Sequence, residues 1–363
     1  MFIRSLQLKK FRCIDQLTLD FTSPIALIEG PNGVGKTSVL EALHYGCYLR
    51  SFRTYSPREL IAFDQQAFSL AISFEQTELG LAARHDLHVG FGDKKRLVKL
   101  NQKAIHSYKE LMDYYRIITL TEDDMGLVKL GPDVRRAFVD QAIMLYNPAY
   151  LQLLKEYKVV LDNRNQLLQQ ARVSAEGYAL WTEQLWHKTR AVQQERTRFL
   201  QSLQQEVEAM LSTYFPEGLL IHFAYVAKKK SDEAENSDAF MARNERLKDM
   251  EQRFGRSLFG AHLDDVAISF GEHSSRIFAS RGQQKLIILL IKMAQLKALA
   301  VQKGPAVFLL DDFMTDFDQD RAQLVLKALM DLKSQLIFTA PERSSILGDI
   351  LQENGAERFN LSI

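Results

Sequence analysis

Residues Ile25–Glu41 read IALIEGPNGVGKTSVLE. Gly30, Gly35, Lys36 and Thr37 complete the pattern G-x-x-x-x-G-K-[ST]. Each place in it has a physical purpose. Glycines let successive backbone N–H groups curl around phosphate oxygens, and the helix that follows aims its positive end at them. Lys36 is placed to reach β- and γ-phosphates, and the Thr37 hydroxyl to ligate Mg²⁺. Asn32, Gly33 and Ser38 belong to the same loop and helix start and are assigned to the nucleotide with them. The context fits. Ile25–Ile28 is a short apolar run, as in a buried strand, and Val39, Leu40, Leu43 and Cys47 recur at helical spacing over Ser38–Cys47.

The chain has 363 residues, with 46 Lys and Arg against 45 Asp and Glu. So close a balance argues against a globally basic binder and leaves a local basic surface open. Cys13 and Cys47 cannot build a disulfide framework, and no C-x-x-C motif occurs. Met1–Lys10 lacks the apolar centre of a signal peptide. The most apolar run, Leu286–Ile291, ends at Lys292 and is too short to span a bilayer. A soluble cytoplasmic protein with no membrane partner is expected.

The first hundred residues read as β-rich. Phe2–Leu8 and Ile14–Phe21 alternate, and Gln66–Glu75, Gly80–Gly90 and Lys95–Leu100 continue in that manner. Ser56-Pro57-Arg58-Glu59 has the form of a capping box, with proline at the first helical position. From Pro132 the texture turns helical. Leu154, Leu161 and Leu168 lie seven apart in Pro148–Arg172, and Leu185, Val192 and Phe199 do so in Tyr178–Leu211. That spacing suits either an antiparallel helical pair or two amphipathic helices packed on a lobe. The longer helix would reach only about 50 Å. Lys228–Asp238 is a charged connector. Strand character returns from Val266, with Pro305–Leu310 and Gln335–Thr339 as short strands around the amphipathic stretch Asp320–Leu332.

Phe308-Leu309-Leu310-Asp311-Asp312 supplies the second half of a nucleotide site, an apolar strand ending in two acids. Asp311 would hold Mg²⁺, and Asp312 would polarise the water that attacks the γ-phosphate; Lys36 and Asp312 are the catalytic assignments. Between the two halves, Ala279–Lys285 reads ASRGQQK. Ser280 and Gln283 form an S-x-x-Q capping box around Gly282 at the start of a long apolar helix, where a phosphate can bind. In ABC-type ATPases such a signature contacts the γ-phosphate held by the other subunit. The order of phosphate loop, insertion, signature and acidic strand is the order of that class. Asp316-Phe317-Asp318 then stands where the class has its subunit-contact loop, which adds Asp318 to the nucleotide contacts. The fold expected is α/β: an ABC-type P-loop ATPase head, a mixed sheet flanked by helices, with a helical insertion lobe. Residues 1–120 and 300–363 would form the head, and 121–299 the helical lobe ending in the signature helix.

With these motifs in place, the chain resembles the RecF family, as a divergent member. Leu6–Arg12 (LQLKKFR), Glu41-Ala42, Arg50-Ser51-Phe52-Arg53, Asn147–Leu167 and Gly260–Asp265 (GAHLDD) resemble family blocks. Asp123–Asp140 (DDMGLVKLGPDVRRAFVD) is the most distinctive, with Gly131-Pro132, Arg135-Arg136 and Asp140 in register. Glu122 replaces a proline, Leu130 a glycine, and Ala261 and Leu263 interrupt G-P-H-R-D-D. Thr315–Asp318 replaces S-E-L-D, and Arg281 and Lys285 stand where glutamine and arginine are common. The resemblance implies an ATP- and Mg²⁺-dependent protein that dimerises when loaded with ATP. It implies binding to duplex DNA and single-strand/double-strand junctions, weak DNA-stimulated ATP hydrolysis, and work with RecO and RecR to place RecA in recombinational repair of gapped DNA and fork maintenance. Three basic sets are open to phosphates: Arg50, Arg53 and Arg58 with Phe52 and Tyr55; Lys94, Lys95, Arg96, Lys99 and Lys103; and Lys188, Arg190, Arg196 and Arg198. Each set also reads as a solvated face.

Two other classes compete. A transport ATPase would carry L-S-G-G-Q rather than SRGQQ and would not need the insertion. The other is an ATP-dependent nuclease or an ATP-gated scaffold; His262, Asp264 and Asp265 come closest to a nuclease centre, and they read better as structural or nucleotide-linked residues of the GAHLDD block.

Overall fold

The computed structural model describes residues 1–78, 81–105, 110–111, 114–170, 172–215, 219–229, 236–244, 246–313, 317–341 and 345–362. They group into two units. One comprises Met1–Met125, Met210–Glu217 and Ser280–Ile363, the other Gly126–Ala209 and Gly218–Ala279. Of the connector Lys228–Asp238, residues 230–235 lie outside the described residues, as do Thr315 and Asp316 of the subunit-contact loop.

Sequences that alternate by two build the first sheet of the first unit. β1 (Phe2–Phe11), β2 (Ile14–Asp20), β4 (Ala67–Glu78), β5 (Leu81–Gly92), β6 (Lys95–Leu100) and β7 (Lys103–Ala104) pair antiparallel in the order β2-β1-β4-β5-β6-β7. The alternation of β1 breaks once. Its register against β4 shifts between Ile3 and Ser5, which lets Ile3 and Leu6 both reach the core. Asp93 and Lys94 close the β5–β6 hairpin with φ of 48° and 60°, the left-handed pair that matches strand twist.

Largely apolar runs build four of the five strands of the second sheet. β3 (Ile25–Gly30), β8 (Ile117–Leu120), β12 (Val307–Leu310), β13 (Leu336–Pro341) and β14 (Glu357–Asn360) stand in the order β14-β3-β13-β12-β8, every pair parallel. Strands covered on both faces need no polar side, so β3, β8, β12 and β13 are largely hydrophobic, whereas the edge strand β14 (ERFN) alternates between half-buried and exposed residues. The mixed character expected of the head is thus divided between one antiparallel and one parallel sheet. The helix Lys36–Tyr48 fills the space between them. It packs on β1, β4 and β5 of the first sheet and on β3, β8 and β13 of the second, burying Val39, Leu40, Leu43 and Cys47.

Two local expectations are corrected. Ser56 makes no side-chain cap; Pro57–Leu60 is a single 3-10 turn, and Glu59 instead accepts from the Thr54 hydroxyl at 2.7 Å. The signature helix, Arg281–Lys303, groups with the first unit and not with the helical lobe. Its apolar face from Leu286 to Leu296 is buried, and the helix packs on β8 and on the turn Glu122–Met125.

In the second unit, Pro148–Leu168 runs antiparallel to the helix Ala175–Tyr214, which belongs to this unit as far as Ala209. Asn147 meets Glu195, Glu156 meets Lys188 at 2.6 Å, and Arg164 meets Thr182. The 40-residue second helix is about 60 Å long. Leu185, Val192 and Phe199 are all buried, and the polar contacts flank that apolar seam. β9 (Ile221–Val226), β10 (Asp265–Phe270) and β11 (His273–Ser274) add a small antiparallel sheet.

Buried charge is concentrated in this unit. Arg164 and Glu251, both fully buried, make a bidentate pair at 3.0 and 2.6 Å, completed by Ser257, Thr182 and the Tyr178 hydroxyl. Arg196 is also buried. It forks onto Asp140 at 2.8 and 2.9 Å and donates to the Ala261 carbonyl, so it is withdrawn from any surface that could meet DNA. Asp264 accepts from Gln193, Tyr225 and the Lys228 backbone, Asp265 pairs with Arg135, and His262 meets the Tyr157 hydroxyl at 2.7 Å. These three side chains are committed to structure. Among the described residues no group of three or more His, Cys, Asp and Glu could hold a metal. No described helix is long and apolar enough to cross a membrane.

Glu251→Ala should cost about 3–5 kcal/mol in a denaturant melt, because it strands the Arg164 charge in the interior; an unchanged midpoint would show the pair to be dispensable. A pH-dependent term is expected from His44. Burial, followed by the charges of Lys292 and Arg50, lowers this imidazole from its ordinary 6.5 to about 3, and it bonds the Thr119 hydroxyl at 2.8 Å. The unfolded chain takes up the proton first. Stability from this group is therefore complete above pH 6.5 and declines as pH falls toward 3. Melting curves of His44→Gln over that range should be flatter than those of the parent.

Candidate nucleotide site

The site is assembled at the carboxyl ends of β3, β12 and β13 in the first unit. β13 lies between the strand that feeds the phosphate loop and the strand that ends in the acids. Its register sets Phe338 opposite Leu310, so Thr339 falls beside Asp311. Asp311 Oδ1 accepts from Thr37 Oγ1 at 3.0 Å and from Thr339 Oγ1 at 2.7 Å. Thr339 Oγ1 also accepts from the Asp312 backbone N–H at 3.0 Å. Burial raises the Asp311 carboxyl above its ordinary value, opposed by those two hydroxyl bonds and by the charges of Arg53 and Lys36. A desolvated carboxylate beside a threonine hydroxyl is a pair of hard oxygen donors, a set that fits Mg²⁺.

The loop itself needs its glycines. Gly35 caps the helix with φ 106°, and a Cβ there would meet Cys13 Sγ at 3.0 Å and Ile14. At Gly30, φ is 153° and a Cβ would lie 2.5 Å from the Leu361 carbonyl, because β14 runs beside β3. The Lys36 ammonium donates to the Gly30 and Pro31 carbonyls at 2.7 and 2.9 Å. It is thereby folded back over the loop where phosphate oxygens would compete for it. Asn32 and Gly33 are exposed at the loop tip, and Ser38 is buried behind it.

Asp312 is exposed, with its backbone held left-handed at φ 44°. The side chain therefore stands toward solvent while Asp311 turns inward. Ser280 and Gln283 form the reciprocal capping box expected of them, the serine exposed and Gly282 half-buried beside it. Asp318 caps the helix Gln319–Met330 by accepting from Arg321 N at 2.9 Å.

Three groups were missed by sequence reasoning. Thr339 gave no signal beyond ending a strand. Glu41, fully buried, binds Arg12 through two bonds of 2.9 and 2.6 Å, the Ser51 hydroxyl, and Arg53 at 3.6 Å. It ties the segment after the helix to the helix itself, and Arg53 acts electrostatically on Asp311. Glu122 pairs with Arg281 at 2.9 Å and with Lys285 at 3.5 Å, fastening the signature helix.

A profile of the AAA domain family matches residues 5–258. DNA replication and repair protein RecF of Desulfitobacterium hafniense is 28% identical over 362 residues, covering 96% of this chain and 97% of that protein. The RecF of Pediococcus pentosaceus is also 28% identical, covering 97% and 96%. A solved structure of the recombination mediator protein RecF with ATP, in the RecFOR pathway, superposes with a TM-score of 0.79 at 23% identity, covering 95% of this chain and 93% of the other. The Smc head domain of Pyrococcus furiosus, solved with an extended coiled coil, gives 0.54 at 16% identity, covering 96% and 91%.

Thr339→Val should leave an Asp311 lone pair and the Asp312 N–H without their partner and cost about 1–3 kcal/mol in chemical denaturation. Thr339→Ser should restore most of the loss. Equal stability of all three proteins would mean that the hydroxyl does not organise the two acids.

Proposed function

The chain belongs to the AAA domain family and, within it, to the RecF proteins of DNA replication and repair, and on that premise we propose an ATP-dependent DNA-binding protein that closes as a dimer on two nucleotides. The observation that carries this reading is the cluster of Thr37, Asp311 and Thr339 beside the Lys36 loop. ATP and Mg²⁺ are the cofactors it suits. Lys36 would exchange its two carbonyl partners for phosphate oxygens, with Gly30, Asn32, Gly33, Gly35 and Ser38 around them. Thr37 and Asp311 would hold Mg²⁺, which supplies charge neutralisation across the phosphates when bound. Asp312, exposed next to this pair, would orient and deprotonate the attacking water in a slow, DNA-stimulated hydrolysis.

Ser280, Gly282 and Gln283 are offered to the nucleotide of a second copy, as is Asp318. The exposed capping box supports this, since the helix start has its own N–H groups partly satisfied and still faces solvent. For duplex DNA and strand junctions, Lys94, Lys95, Lys99 and Lys103 are the favoured contacts. All four are exposed on β6, β7 and the hairpin turn before them. The insertion set is weaker, because Arg196 is buried, Lys188 and Arg198 are in ion pairs, and Arg190 stacks on Trp186. Work with RecO and RecR in placing RecA follows from the family alone.

The test separates binding, turnover and assembly. Lys36→Ala should lose ATP affinity. Asp312→Asn should bind ATP, hydrolyse it poorly and accumulate as dimer. Ser280→Arg should bind ATP as a monomer and fail to dimerise in light scattering with a slowly hydrolysed analogue, while losing the serine cap costs only about 1 kcal/mol of fold stability. A Ser280→Arg protein that dimerises normally would sink the two-subunit site.

A further inference from the structure

The second unit carries a groove that the nucleotide reading does not use. One wall is the helix Leu247–Phe254. Leu247 and Glu251 face inward, whereas Met250 and Phe254, one turn apart, are 47% and 56% exposed. Together with Leu258 they give the groove an apolar floor, and its volume is about 510 Å³. Five further lining residues are cationic, Lys228, Lys229, Arg243, Arg246 and Arg256, beside the neutral Ala242 and Asn244. Among the described residues no carboxylate lines it. In a chain of formal net charge +1, five cations around one concavity are a local excess that attracts anions.

The walls are fixed in advance. Glu251 accepts from the Leu258 backbone at 2.8 Å, and its partner Arg164 bonds the Ser257 hydroxyl at 2.8 Å. Gly255 ends the helix in the left-handed conformation, at φ 62°. On the other side, Lys228 N is held by Asp264, and Lys229 Nζ reaches Asn244. The described parts of both walls are therefore held in place by the fold itself, which lowers the ordering cost of binding there.

We infer that this groove binds an acidic peptide segment of a partner protein, its carboxylates on the Arg and Lys rim and a large apolar side chain on Met250 and Phe254. Guanidinium forks match carboxylates and phosphates alike, so the rim alone does not choose between peptide and nucleic acid. The floor chooses. A phosphate backbone would leave Met250 and Phe254 against charged oxygens, and a base-stacking track uses successive aromatic rings where this groove has one. An apolar peptide side chain covers that floor, and methionine adapts to its shape. The inference stands independently of nucleotide binding.

Fluorescence polarisation on the full-length protein tests it, with the labelled peptide DEDFDDLF, the control KKKFKKLF and an oligothymidylate of matched length. The acidic peptide should bind, weaken with added salt and be ignored by neither half of the groove. Arg246→Glu with Arg256→Glu, and separately Met250→Ala with Phe254→Ala, should each lower its affinity about tenfold or more at an unchanged melting temperature. These side chains are exposed; should one pair melt early, Arg246→Gln and Met250→Ala singly carry the same test. Absence of peptide binding, equal affinity in the variants, or equal binding of KKKFKKLF overturns the proposal. So does an oligothymidylate that displaces the peptide and itself loses affinity in both pairs, or a self-association in sedimentation that the Met250/Phe254 pair abolishes.

Discussion

One carboxylate oxygen, Asp311 Oδ1, is shared by two threonine hydroxyls, from the helix after the phosphate loop and from β13. Three chain segments distant in sequence therefore end at one point. The bonds are modest singly, but their partners sit on elements that the core already fixes. The helix Lys36–Tyr48 is clamped between two sheets, and β12 and β13 are buried on both faces. Position therefore comes from packing, and the hydroxyls add orientation. The same arrangement separates two adjacent acids. Asp312 spends its N–H on Thr339 and takes a left-handed backbone, which turns its side chain outward while Asp311 stays among hydroxyls. Neighbouring carboxylates can serve different roles only if their environments differ, and here the backbone creates the difference.

The departures from the family pattern are connected. Glu122, which the resemblance marks as a departure, pairs with Arg281 and Lys285, two more of those departures. Lys285 is almost wholly buried and lies over the Phe313 ring. A buried ammonium without a carboxylate would be costly, so an acid at position 122 is the natural companion of a lysine at 285. Lys292 repeats the device one layer along, on Asp124 at 2.7 Å. The start of the signature helix is thus anchored by charge to the turn that follows β8, where a proline would have fixed the turn by its ring alone.

Much of this was legible in the sequence because periodicity and short motifs are local. The phosphate loop, the acidic strand, the capping box at Ser280 and most strands of both sheets are carried by neighbours along the chain, whereas the short strands Ile117–Leu120 and Glu357–Asn360 were not read from it. What was not legible depends on partners far away. Thr339 matters only through the register of β13 on β12, and Glu41 only because Arg12 and Ser51 return to it. Arg196 read as a surface cation, since nothing within its own helix announces that Asp140 will enclose it. Ser56 had the right spacing for a cap, but in the single 3-10 turn the Glu59 N–H is taken by the Ser56 carbonyl at 3.1 Å, and Thr54 takes the Glu59 carboxylate. The helical pair kept its heptad promise in the longer partner. In the shorter one, Leu154 and Leu161 are only half-buried, because polar bridges share the seam.

Glu41 gives the basic segment Arg50–Arg58 a second meaning. The carboxylate lies on the phosphate-loop helix yet holds Ser51 and Arg53 on the segment that follows it. Arg53 in turn bears electrostatically on Asp311. A cation in that position is counted twice, once as surface charge and once as part of the field around the acids. Ser51 Oγ, which donates to that carboxylate, also accepts from the Arg53 and Thr54 N–H groups at 2.8 and 3.1 Å, so one buried acid positions the whole turn. The basic segment therefore hangs, through Ser51 and Arg53, from the same helix that carries Lys36 and Thr37, and its place on the surface is set by one buried carboxylate.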